Sequence, residues 1–254
     1  MSRDDRPPAV AEVRNEPGAA LAATAPPADP EPRHFRARGN WQSAEKAAVY
    51  RRARHPTQFS RFFREEAIVS PWLDDLGKEA SVLDIPCGTG RWIPTLTGRG
   101  FRYTGADVSQ AMTREARTAT APPAVQGFVV ADLAHLPFPY DSFDAVIVWR
   151  LLHHVPDSET RRALLREAAR VSRCKVIVSF HHPLSFAYPW KVIRRQFFGF
   201  KQGGRGITHW QLKREAEWSG LEIIQTRSFW KYASINWFAC LGKRGSDPRA
   251  RSTD

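Results

Sequence analysis

The stretch VLDIPCGTGRW, Val82–Trp92, constrains this chain more than any other part of it. Apolar residues run into an acid, Asp84, then Pro86, then a small-residue loop of Cys87, Gly88, Thr89 and Gly90, after which an apolar run resumes. A parallel strand delivers its C-terminal end to a crevice where ligands bind, and glycines there let backbone N–H groups at a helix start come close to a ligand. Gly88 and Gly90 suit that role. GTGRWI lacks the third glycine of G-x-G-x-x-G and the Lys-Ser/Thr pair of a P-loop, so a pyrophosphate is not the favoured occupant.

The next strand pattern, YTGADVS, ends in Asp107. An acid at the end of a second strand is placed to accept both hydroxyls of a ribose. The third, FVVADL, ends in Asp132 before Leu133, an acid beside an apolar residue that could accept from an exocyclic amine and cover a base. Around these segments strands and helices alternate: SVLDI, RWIPTLTGRG, YTGADV, SQAMTREART, QGFVVADL, DAVIVWR, SETRRALLREAARVS and KVIVSF, then HWQLKREAEWSGLEIIQTRSFW and SINWFACL as a further helix and a closing strand pair. Short β-rich apolar runs between helical patterns predict βαβ units and a parallel sheet buried on both faces.

With 254 residues, 42% of them hydrophobic, the chain can build one sizeable α/β core. Residues 1–32 are rich in Ala, Pro and acids with no sustained period, and a disordered tail is expected over 1–40. Two leading helices are expected next, WQSAEKAAVYRRARHP and TQFSRFFREEAIVSPWLDDL, the second with Phe59, Phe62, Phe63 and Ala67 at helical spacing. Cys87, Cys174 and Cys240 have neither disulfide nor zinc spacing, which suggests a reducing, cytoplasmic setting. MSRDDRPPAV is unlike a signal peptide, and no window reaches the roughly 18 apolar residues of a spanning helix. A soluble or peripheral protein is expected. The net charge of +12 sits late: 181–254 hold thirteen Lys or Arg against five acids. That sign admits nucleic acid, anionic lipid or a phosphorylated substrate as partner.

VLDIPCGTGRW, GADVS, ADLAHLPFPYDSFDAVIVWRLLHHVPD and ARVSRCKVIVSF together resemble the successive motifs of class I S-adenosylmethionine-dependent methyltransferases, in the branch containing the ubiquinone and menaquinone methyltransferases. The resemblance covers roughly Ser81 to Phe180. It implies a Rossmann-like, seven-stranded, mostly parallel sheet with helices on both faces, after the tail and two helices, within a domain over 41–245. S-adenosyl-L-methionine is the implied cofactor. Carried over by position, Asp84 would orient its methionine end, Gly88 and Gly90 would lie against it with Pro86 and Cys87 beside them, Asp107 and Val108 would sit at the ribose, Asp132 and Leu133 at the adenine, and Trp149 at the methionine moiety. Pro86 departs from the family's usual glycine; it fixes φ and removes a donor. Taken alone, Asp84 or Asp107 reads as a helix cap or turn acid, and Cys87 as a small buried filler of the loop.

Two histidine pairs follow strands: His153 and His154 after the fourth, His181 and His182 after the fifth. In a sheet of this family those strands are neighbours, so both pairs should reach one rim of the crevice. A histidine there could take a proton from an acceptor hydroxyl, His154 and His181 being the first choices, although packing or capping is the ordinary reading. No carboxylate or cysteine accompanies either pair at ligand spacing, so no metal is expected. Between the fifth strand and the last helix, PLSFAYPWKVIRRQFFGFKQGGRGITHW places Trp190, Ile193, Phe197 and Phe200 on one helical face, with Lys191, Arg194, Arg195 and Lys201 at its flanks and back. The 183–208 stretch therefore reads as a lid or a membrane-facing insertion, with peripheral membrane contact through 188–201. The tail after 245 is expected to be disordered. The function expected is methyl transfer to an apolar or amphiphilic small molecule, quinone-like, lipid-linked or glycolipid. A nucleic-acid methyltransferase lacks its N-P-P-Y or D-P-P-Y tetrapeptide here. A non-catalytic scaffold of the same fold, or a transferase using another part of the cofactor, remains open.

Overall fold

A computed structural model of the chain describes residues 56–118, 123–183, 206–229 and 234–244, with side chains from residue 62 onward. The first leading helix, both terminal tails and nearly all of the 183–208 stretch, including 188–201, lie outside the described residues.

The described chain begins with α1 (Pro56–Val69), followed by a 3-10 turn, Ser70–Leu73. Then come β1 (Ser81–Asp84), α2 (Ile93–Gly98), β2 (Arg102–Asp107), α3 (Gln110–Thr118), β3 (Val125–Val130) and β4 (Phe143–Val148). A 3-10 turn, Leu152–His154, leads into α4 (Ser158–Val171), β5 (Ser172–His181), α5 (His209–Trp218), β6 (Leu221–Ser228) and β7 (Asn236–Lys243). The seven strands lie in the order β3-β2-β1-β4-β5-β7-β6. All pairings from β3 to β5 are parallel, and β7 runs antiparallel to both β5 and β6.

β4 shows why the sheet is buried on both faces. Val146 and Val148 join the cluster that contains Leu83, Leu164, Leu165 and Leu212, beneath α4 and α5. Ala145 and Ile147 join the other, with Val69, Trp72, Ile93 and Leu96 from α1, its following turn and α2. Alternate residues therefore serve opposite cores, as a strand's period of two requires, and each buried Val or Ile contributes about 1.5–3 kcal/mol.

α4 starts at Asp157, whose side chain accepts from the Thr160 amide at 2.7 Å. α5 starts with a reciprocal capping box between Thr208 and Gln211. The two helices are tied by a buried fork: Arg161 Nε donates to Glu215 Oε2 at 2.9 Å and a terminal nitrogen donates to Oε1 at 2.5 Å. Ser158 Oγ and the Val155 carbonyl complete that network.

α1 is phased differently from the expected apolar face. Phe63 is 58% exposed and Ala67 is exposed, whereas Glu65 and Val69 are buried and Phe62 is half-buried. A carboxylate takes the inward place because it finds partners there.

Candidate active site

The ends of β1, β2, β4 and β5 converge on one edge of the sheet, and the Ile85–Trp92 loop is stitched between them. Ile85 N donates to the Ile147 carbonyl at 2.9 Å and Cys87 N to the Ala106 carbonyl at 2.8 Å. The Ile85–Pro86 peptide is cis. Gly88 and Gly90 hold φ of 54° and 78°, where an L side chain would be strained. At Gly88 an added Cβ would meet nothing within 4 Å, so this side of the loop faces open space.

Asp107, at the end of β2, fastens the loop. Its Oδ2 accepts from the Gly88 amide at 2.9 Å and its Oδ1 from the Ser109 amide at 2.9 Å. Burial raises its pKa above the ordinary carboxylate value, and the two amide bonds oppose that rise. Ala131 N donates to the Asp107 carbonyl at 3.1 Å, which brings the end of β3 alongside. Exposed Val108, half-buried Asp132 and buried Leu133 therefore lie along the same edge, with Asp132 Oδ1 accepting from the Ala134 amide at 3.1 Å.

Asp84 is fully buried. Its Oδ2 accepts from Tyr103 Oη at 3.0 Å, and among the described residues its Oδ1 has no hydrogen-bond partner. Desolvation by burial pushes this carboxyl from 3.8 up to about 8; the Tyr103 bond and Arg91 act against the rise, and the charge of Asp107 adds to it. Such a group is mostly protonated at neutral pH, and it is placed to ionise when a cation arrives. A buried oxygen without a partner beside an open glycine cradle fits a ligand carrying positive charge and backbone-facing polar groups. Cys87 is a buried filler, as its small size suggested: burial and the nearby Asp84 and Asp107 push its thiol up, against thiolate chemistry.

Next to this loop lies a small second pocket, lined in part by Glu65, Trp149, His153, Phe180, His181 and Phe238. Trp149 forms its floor. Its ring stacks on Phe238 with centroids 5.0 Å apart and meets Trp92 edge-on at 4.9 Å. Glu65 of α1 reaches in from the side, and its Oε2 accepts from Trp149 Nε1 at 3.2 Å and pairs with Arg91 at 2.9 Å. Arg91 in turn lies over the Phe62 ring at 4.7 Å. α1 is thereby fastened both to the glycine loop and to the end of β4.

Three of the four histidines meet at this rim. His153 stacks on His181 with centroids 3.7 Å apart and lies 4.2 Å from His154. His153 is buried, His181 half-buried and His154 exposed. The expected convergence of both pairs needs correction at His182. Successive residues at a strand end point to opposite faces, and His182 turns away to pack on Trp237 at 4.8 Å. Burial first, and His209 second, lower its pKa. Among the described residues no cluster of His, Cys, Asp and Glu could hold a metal.

Pattern reading missed three residues of this edge: Glu65, Arg91 and Tyr103.

The strand order β3-β2-β1-β4-β5-β7-β6, with a glycine turn after β1, is a Rossmann-like fold shared with solved methyltransferase structures. Residues 82–175 match the family model for a methyltransferase domain. The chain is 38% identical over 96 residues to 27-O-demethylrifamycin SV methyltransferase of Amycolatopsis mediterranei, covering 36% of this chain and 34% of that one. It is 31% identical over 133 residues to demethylmenaquinone methyltransferase of Bacillus licheniformis, covering 51% and 52%. The matches thus span about a third to a half of these curated relatives. Among solved structures, magnesium protoporphyrin IX methyltransferase (ChlM) from Synechocystis PCC 6803 with bound SAH shares the fold, with TM-score 0.65 and 20% identity over 82% of this chain and 98% of that one.

Proposed function

We propose that this protein transfers the methyl group of S-adenosylmethionine to an apolar or amphiphilic small molecule. The observation that carries the reading is Asp84: a fully buried carboxyl with one unpartnered oxygen, next to a glycine cradle that Asp107 holds open. When bound, the cofactor supplies an electrophilic methyl carbon on a sulfonium. Asp84 gives up its proton and balances the positive charge at the methionine end. Gly88 and Gly90 offer backbone to the same moiety, with Pro86 and Cys87 shaping the turn. The lone pairs of Asp107 not used by Gly88 and Ser109 accept from the ribose hydroxyls, and Val108 covers the sugar. Asp132 accepts from the adenine amine while Leu133 packs on the ring. Trp149 walls off the methionine end.

The second pocket is the acceptor's place. Trp149, Phe180 and Phe238 give it an aromatic wall, facing the polar side chains of Glu65, His153, Ser179, His181 and Asn236. One ring of the stacked His153–His181 pair takes the proton from an acceptor hydroxyl as its oxygen attacks, with His154 at the mouth as the route to solvent. Much of the rate enhancement then comes from alignment, since displacement at a sulfonium needs little covalent help. The aromatic wall together with polar groups suits a hydroxylated aromatic or amphiphilic acceptor, quinone-like, lipid-linked or glycolipid, and the curated relatives, named for demethylmenaquinone and 27-O-demethylrifamycin SV, support that class. No helix among the described residues is long and apolar enough to cross a membrane. A cytoplasmic protein working at the inner face of a membrane, touching it through 188–201, suits such acceptors.

The test is transfer of labelled methyl from S-adenosylmethionine to a panel of hydroxylated naphthoquinols, polyketides and lipid extracts. Label in an apolar product, lost in Asp107→Ala, is the expected result. Label only in added RNA, or in nothing despite cofactor binding, would overturn it.

A further inference from the structure

Two large aromatic side chains on α5 are spent on neither core. Trp210 is 62% exposed and Trp218 is 54% exposed, while Leu212, Glu215 and Ala216 of the same helix are buried. The buried fork between Glu215 and Arg161 fixes the roll of the helix, so its outward stripe is set by the fold and not by chance. Trp210, Arg214 and Trp218 follow at intervals of four along that stripe, spanning about 12 Å of helix axis.

Each tryptophan is accompanied by arginine. Arg214 lies over the Trp210 ring at 4.7 Å. Arg162 and Arg166, from neighbouring α4, lie over Trp218 at 5.6 and 5.2 Å. Exposed Lys213 adds a fourth cation beside Arg162, Arg166 and Arg214. Of the acids here, Glu159 stands one turn before Arg162, and Glu217 is bridged on two sides, by Lys213 at 3.9 Å and Arg244 at 3.8 Å. The face is therefore aromatic and net basic. α5 also begins at the rim of the site, since Ile207 N donates to the His181 carbonyl at 2.7 Å just before its first turn.

We propose that the outer face of α5, with Arg162 and Arg166 of α4, docks the protein on a bilayer carrying anionic lipid headgroups. Tryptophan prefers the headgroup level of a membrane, where its ring is apolar and its N–H stays wet, and guanidinium groups there reach lipid phosphates. Single-stranded nucleic acid is the less suitable polyanion, because it stacks its bases on bare ring faces and arginines already lie over these. With α5 on the surface, the rim at His181 sits beside the bilayer from which an apolar acceptor would come. The docking rests on this surface alone and holds or fails independently of methyl transfer.

Flotation of the full chain with vesicles of phosphatidylcholine, with and without phosphatidylglycerol, tests it. Binding that requires phosphatidylglycerol and weakens with salt is expected. Trp210→Ser/Trp218→Ser should lower the partition coefficient roughly tenfold, and Arg162→Gln/Arg166→Gln/Arg214→Gln by more, at about fivefold per cation. Melting temperature and affinity for S-adenosylhomocysteine should stay at wild-type values; if the double variant is unfolded, Trp210→Ser alone still removes the most exposed ring and should show part of the loss. No flotation of the wild type overturns the proposal. So does flotation unchanged in folded variants, which would leave the contact to 188–201 alone, or an RNA gel shift lost in these variants without any lipid binding.

Discussion

The glycine loop and the histidine rim are built on opposite principles. The loop is local: Asp84, Gly88, Gly90 and Asp107 lie within two consecutive βα turns, and all are inside the segment shared with the methyltransferase domain. The rim is assembled from afar: Glu65 comes from α1, His153 from beyond β4, His181 from the end of β5, and Phe238 from the antiparallel strand β7. Glu65, His181 and Phe238 fall outside the matched residues 82–175. A chain can keep one half of such a site while changing the other. In the proposed function the loop side holds the cofactor and the rim side selects the acceptor.

Substitutions should separate the two halves. The largest effect on turnover belongs to the rim: His153→Ala, which removes the ring that contacts both His181 and His154, should lower kcat by roughly 10²–10⁴, with affinity for S-adenosylhomocysteine unchanged. Glu65→Gln comes next. It keeps an acceptor for the Trp149 N–H and weakens the ion pair to Arg91, so kcat/KM for the acceptor should fall about tenfold while cofactor affinity moves little. A parallel loss of cofactor affinity would mean that α1 serves the loop side instead.

On the loop side, Asp84→Asn should weaken cofactor binding yet stabilise the fold. The folded carboxyl titrates near 8 against an ordinary 3.8. Below 3.8 both folded and unfolded chains are protonated; between these values only the unfolded chain ionises, so stability falls as pH rises; above about 8 the loss levels off. The asparagine variant escapes that loss. Thermal melts should show it more stable by about 1–3 kcal/mol at pH 8 and little different at pH 4. In the wild type the same linkage makes affinity for the cationic cofactor rise with pH until the carboxyl is ionised in the free protein. The smallest effect is expected at His182: packed on Trp237 and away from the trio, His182→Gln should change kcat by less than about twofold.

The same contrast explains what the sequence made legible. Strand alternation, the need for left-handed backbone at Gly88 and Gly90, and acids at strand ends are consequences of local chain geometry, so β1 to β5 and the loop could be read directly. β5 is longer than its apolar core, starting at Ser172 directly after α4 and ending at His181. Contacts between distant segments were harder. The face of α1 was misphased because phenylalanines outnumber the buried acid, and nothing near Glu65 in sequence shows that Trp149 and Arg91 await it. The histidine convergence was visible for three rings and failed for His182 because one residue along a strand reverses the face.

The central claim is that the Asp84–Gly88–Asp107 cluster holds an adenosyl cofactor. Calorimetric titration of the wild type and Asp107→Ala with S-adenosylmethionine and S-adenosylhomocysteine tests it most directly. We expect micromolar binding that weakens by roughly 100-fold or more in the variant, the scale of losing charge-assisted bonds to two hydroxyls. A folded wild type that gives no heat with either ligand, or a variant that binds as tightly as the wild type, would contradict the account.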